Sequence, residues 1–151
     1  MSRQFESVED DAGGVVRYRR HANGGGFVGR GAVVPESARL GSMTYVEPEA
    51  RIGAGARIGR GSWIDRRAQV GERTVLGDGV RVGHGAVIGN RVHIGSHSRI
   101  GAGAVIGHGA SLAADSTVPD GVRVAAQPRR SGMVPDRSRQ RTRKPQQKVA
   151  A

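Results

Sequence analysis

The sequence predicts an all-β, single-domain chain wound as a parallel β-helix, flanked by an N-terminal cap and a basic tail. Three observations carry that expectation. An aliphatic residue recurs every six positions from Val28 to Val124 without a skip. Glycine is abundant, at 25 residues, while aromatics make up 3% of the chain, too few for an aromatic core. A period of six matches neither a helix face nor the alternation of hairpin strands.

Set in sixes, the chain reads FVGRGA VVPESA RLGSMT YVEPEA RIGAGA RIGRGS WIDRRA QVGERT VLGDGV RVGHGA VIGNRV HIGSHS RIGAGA VIGHGA SLAADS TVPDGV RVAA. The second letter is aliphatic in all seventeen blocks. The sixth is Ala, Ser, Thr or Val, and the third is mostly Gly. Each six is then a short strand and a corner. The second residue points into a narrow prism, and the sixth is small because it points inward too. Glycines at the third and fifth letters are expected to supply backbone angles that the corner demands. Coils stack at strand spacing, about 4.8 Å.

The flanks lack this period. Residues 1–26 hold four Arg and four acids, residues 27–124 twelve Arg and eight acids, and residues 125–151 six Arg, two Lys and one Asp. The net charges are zero, +4 and +7, which sum to the chain's +11. Expected boundaries are 1–26 for an N-terminal segment that partly caps the first coil, 27–126 for the helix, and 127–151 for a flexible basic tail. The tail suits nonspecific, salt-dependent contact with polyanions, and no sequence-reading nucleic-acid motif accompanies it. Cys is absent, which removes disulfides and Cys-ligated metals. No apolar run long enough for a membrane span or a secretory signal is present. A cytoplasmic location is the expectation.

The pattern of an aliphatic residue, Gly, two variable residues and a small residue resembles the hexapeptide-repeat proteins, and the resemblance covers residues 27 to about 130. That superfamily includes acyltransferases and gamma-class carbonic anhydrases. The resemblance implies a left-handed helix with three sixes per coil. It also implies a homotrimer with functional clefts between subunits. Three sixes per coil give three faces, whose outward residues stack at intervals of eighteen. The first face carries Phe27, Tyr45, Trp63, Arg81, Arg99 and Thr117. It reads as a stabilising ladder, a seat for the N-terminal segment, or a partner contact. The second carries Val33, Arg51, Gln69, Val87, Val105 and Arg123, and its later coils are the expected trimer contact. His84 falls at the corner after the first face and His108 at the corner after the second. His93 lies outward on the third face, and His97 at the corner that follows it.

Val82-Gly83-His84-Gly85-Ala86-Val87-Ile88-Gly89 is similar to the segment of lipid A acyltransferases and bacterial sugar N-acetyltransferases in which this His is the general base. The resemblance therefore implies His84 as the catalytic residue. The stretch from Val118 to Arg130 is similar to the ending of hexapeptide acetyltransferases that lies beside coenzyme A. It implies Arg129 and Arg130 as cofactor-binding residues, although Asp120, Ala126, Gln127 and Arg129 depart from that pattern. The function so implied is transfer of an acetyl or other acyl group from a coenzyme A donor to a small hydroxyl or amine acceptor. One alternative is a non-catalytic trimeric scaffold or binding module. A second is a metal hydratase like the gamma-class carbonic anhydrases. There the residue needed as a second ligand after His84 is Gly89, so no metal is expected.

Overall fold

The computed structural model describes residues 5–9 and 15–127. Strands β1 (Phe5–Glu9) and β2 (Val15–Arg20) pair antiparallel, with Phe5 opposite Arg19. β2 then pairs antiparallel with β3 (Phe27–Gly29), which opens the solenoid. Two-residue strands follow, from β4 (Arg39–Leu40) to β18 (Arg123–Val124). They stack into one eight-stranded sheet, which includes β1 to β3, and two five-stranded sheets. Every pairing within the solenoid is parallel and offset by eighteen residues: Arg81 lies opposite Trp63 on one side and Arg99 on the other. This is the three-sided coil that the repeat and the resemblance led us to expect. No helix occurs among the described residues, and none is long and apolar enough to cross a membrane.

Packing follows the repeat. The second-position aliphatics from Leu40 to Ile106 are at most 3% exposed. Val34, Leu112 and Val124, toward the two ends, are only partly buried. The sixth-position residues Ala38, Ala50, Ala56, Ala68, Val80, Ala86 and Ala104 are fully buried between them.

Some sixth positions carry a hydroxyl, which must find partners once it leaves water. Ser62 Oγ donates to the Gly77 carbonyl and accepts the Val80 N–H, both at 3.1 Å. Thr74 Oγ1 does the same for Gly89 and Val92, at 2.6 and 3.1 Å. Thr44 repeats the pattern with Gly59 and Ser62, and Ser98 with Ala113 and Ser116. Each hydroxyl thus pins one coil to the next.

The glycines divide into two jobs, and the sequence expectation is corrected for one of them. Fifth-position residues do adopt positive φ: Gly85 has φ 68°, and non-glycine residues such as Arg91 (56°) and His97 (65°) take the same turn. Third-position glycines do not. They are small because the next coil passes close by: a Cβ on Gly83 would stand 2.6 Å from the Ala102 nitrogen.

The N-terminal hairpin closes the first coil. Tyr18, from β2, meets Tyr45 edge-on at 5.0 Å. Phe27 stacks on Tyr45 at 4.9 Å, and Tyr45 meets Trp63 at 5.4 Å. Arg20 covers Phe27 at 5.0 Å. Of the three readings of the aromatic ladder, the seat for the N-terminal segment is the one these contacts display.

Candidate functional site

The corners of a hexapeptide solenoid are crowded with backbone N–H groups that turn away from the strand ladder. At five blocks the fourth residue meets this need, its side chain accepting the N–H of the residue eighteen positions earlier. Asp78 caps Arg60 at 2.9 Å, Ser96 caps Asp78 at 3.1 Å, and Asn90 caps Glu72 at 2.8 Å. His108 caps Asn90 through Nδ1 at 2.8 Å, and Asp120 caps Ala102 at 2.9 Å. Such a side chain is occupied by structure. Acceptance at Nδ1 also fixes neutral His108 in its Nε2–H form.

His84 also occupies a fourth position but makes no such bond among the described residues, as Ser42 and Glu72 make none. The N–H it would cap belongs to Arg66, and Asp65 Oδ1 already holds that N–H at 2.7 Å. The His84 imidazole is exposed and has no hydrogen bond among the described residues, while its own carbonyl accepts the Gly103 N–H at 2.9 Å. Its backbone is therefore held in the coil and its ring is left for other work. Asp65 is the residue that sequence reasoning missed. The available signal was an acid at a third position, where Gly is the rule.

The surroundings of His84 differ on its two sides. Toward the N-terminus lie Asp65, Arg66 and Arg67, with Arg67 Nε bound to Glu49 Oε1 at 3.0 Å. Toward the C-terminus lie Ala102 and Gly103, then Asp120 and Gly121. Gly85, Gly103 and Gly121 form one column, and nothing lies within 4 Å of where a Cβ would stand on any of them. That column is an open strip of bare backbone running away from the imidazole.

Beneath Asp65 in the same column lies Glu47, 5% exposed. Tyr18 Oη donates to both of its oxygens, at 2.9 and 3.0 Å. Burial holds the Glu47 carboxyl above its ordinary range, and Asp65 adds to this, while the Tyr18 hydrogen bond and Arg66 oppose it. Burial, and then the bond to Glu47, push the Tyr18 hydroxyl well above the usual phenol range.

The other histidines are scattered, as the coil geometry predicts. His93 lies outward on the third face, exposed, and His97 sits at the next corner with its ring over Gly79. His21, buried in the N-terminal segment, donates through Nε2 to the Ala38 carbonyl at 2.8 Å. Among the described residues no three His, Cys, Asp or Glu side chains converge as a metal site. Arg129, Arg130 and the rest of the basic tail lie outside the described residues.

An unbroken hexapeptide solenoid defines a fold class, and comparison with known proteins agrees with that architecture. Residues 55–90 match the family described as bacterial transferase hexapeptide (six repeats). No curated protein matches the chain. Among solved structures, the acetyltransferase domain of PglB from Neisseria gonorrhoeae FA1090 is similar at a TM-score of 0.66 and 26% identity, over 67% of this chain and 49% of that one. The same domain in complex with acetyl coenzyme A gives 0.59 and 26%, over 66% and 54%. The hexapeptide-repeat resemblance is borne out. This chain spans about half the length of these relatives.

Proposed function

We propose that the protein is a hexapeptide-repeat acyltransferase, which moves an acetyl or other acyl group from a coenzyme A donor to a small hydroxyl or amine acceptor. The observation that carries this reading is the release of the His84 ring from corner capping. A neutral imidazole carries a basic ring nitrogen that can accept a proton. His84 would take the proton from the acceptor's hydroxyl or amine as that group attacks the acyl carbon.

The donor supplies an activated thioester. The residues present fit such a group: the bare strip of Gly85, Gly103 and Gly121, open at every missing Cβ, leaves a slender, uncharged arm room to approach His84. Arg129 and Arg130 follow closely on Gln127, the last described residue, and would pair with donor phosphates, for which the Arg fork is suited. The solenoid's likeness to an acetyltransferase domain with acetyl coenzyme A bound supports the reading.

Acetyl coenzyme A at about a hundred times its dissociation constant should stabilise the protein by about 2.7 kcal/mol, visible as a rise in melting temperature. His84→Ala should keep that rise and lose roughly 10²- to 10⁴-fold in transfer rate. No thermal shift would sink the acyltransferase reading in favour of the scaffold. Transfer that survives in His84→Ala would clear His84 of the role.

A further inference from the structure

We infer that Arg81, Arg99 and Thr117 form a phosphate-binding column on the outer face of the eight-stranded sheet, beside Trp63 and on the strand that leads into His84. The inference deepens the acyltransferase reading and depends on it only for whose phosphate is held.

Arg81 and Arg99 are directly paired in register, as are Arg99 and Thr117. All three side chains are exposed. Two like charges directly opposite on neighbouring strands repel. Neither guanidinium has an ion pair, hydrogen bond or ring contact among the described residues, so solvent alone screens the repulsion. Two carboxylates at the bordering corners are bound to backbone: Asp65 accepts the Arg66 N–H at 2.7 Å, and Asp120 the Ala102 N–H at 2.9 Å.

The floor beside the two arginines is Gly83 and Gly101, so both forks are free to turn toward one group. Two guanidiniums and a hydroxyl, all donors and about one strand spacing apart, match the oxygens of a phosphate. Arg81 is three residues before His84 in the same block, so the column adjoins the corner that carries the proposed base. Trp63, 37% exposed, closes the lower end of the column. A second registered pair, Arg39 and Arg57 on the third face, lacks both the aromatic neighbour and the histidine. It serves as an internal control.

Trp63 is the chain's one tryptophan, so its fluorescence reports this column. Inorganic pyrophosphate titrated into the full chain at about 0.15 M salt, where distant charges are largely screened, should change that emission saturably. Arg81→Gln and Arg99→Gln should each weaken binding roughly tenfold, as loss of a charge-assisted hydrogen bond implies. Arg39→Gln with Arg57→Gln should leave it unchanged. Competition by coenzyme A would assign the phosphate to the donor. Binding of pyrophosphate undisturbed by coenzyme A would assign it to the acceptor.

A flat titration overturns the inference, as does equal loss in the Arg39/Arg57 control. Pyrophosphate binding is read without any transfer assay, so the column and the catalytic role of His84 fail separately. Far-UV circular dichroism of each variant checks that the exposed substitutions leave the solenoid intact.

Discussion

Two neighbouring glycines illustrate how differently one residue type is used. Gly85 has positive φ and nothing near its missing Cβ, so Gly85→Ala is charged only for the left-handed backbone, about 1–2 kcal/mol. Gly83 has no such φ, but its Cβ would press on the Ala102 nitrogen at 2.6 Å and the Gly101 carbonyl carbon at 2.8 Å. Relief requires two coils to part. Gly83→Ala should therefore cost about 3 kcal/mol, at or above the upper end of ordinary overpacking. Thermal unfolding of the two variants side by side checks the order. Equal losses would mean that close approach between coils is not what the third position protects.

At the scale of the element, the N-terminal hairpin is held by a buried polar contact as well as by rings. The Glu47 carboxyl is raised by burial, so its proton is bound more tightly in the folded chain than in the unfolded one. Its contribution is therefore fully present at low pH, below the unfolded carboxylate pKa of about 4.3, and is lost as pH rises through the folded value. Glu47→Gln should flatten the pH dependence of stability across that window. Tyr18→Phe removes the donor that serves both carboxylate oxygens. It should cost about 1–3 kcal/mol near neutral pH, and less in acid, where the carboxyl is protonated. Amide exchange along Val15–Arg20, followed against pH, measures both effects.

For the whole molecule, the second face remains the proposed contact of a homotrimer. Val87 and Val105 are registered neighbours there, half-exposed in the single chain, and their strands carry no charge between Gln69 and Arg123. Covering such a pair removes apolar surface from water, and a buried unpaired carboxylate would oppose it. Val105→Glu should lower the mass measured by light scattering from three chains to one while the solenoid's circular dichroism persists. An unchanged mass would place the contact elsewhere. The basic tail adds a second whole-molecule property, its proposed salt-dependent affinity for polyanions.

The repeat by itself determined the solenoid. Seventeen aliphatics at an unvaried spacing of six predicted a parallel β-helix, and the resemblance they carry implied three sixes per coil, hence the offset of eighteen and the dispersal of the histidines. His84 was legible as a candidate from its motif. What only the tertiary structure decided was which polar groups are already in use. His108 and Asn90 look as available in sequence as His84, yet both cap a corner one coil below. His84 is free because Asp65 takes the Arg66 N–H first. Tyr18 finds Glu47 across 29 residues, a pairing that no period announces. Periodicity fixes which side chains enter the prism because burial there is set by position alone. Hydrogen bonds at the corners are settled by competition among donors and acceptors on adjacent coils, and only the coordinates show which one wins.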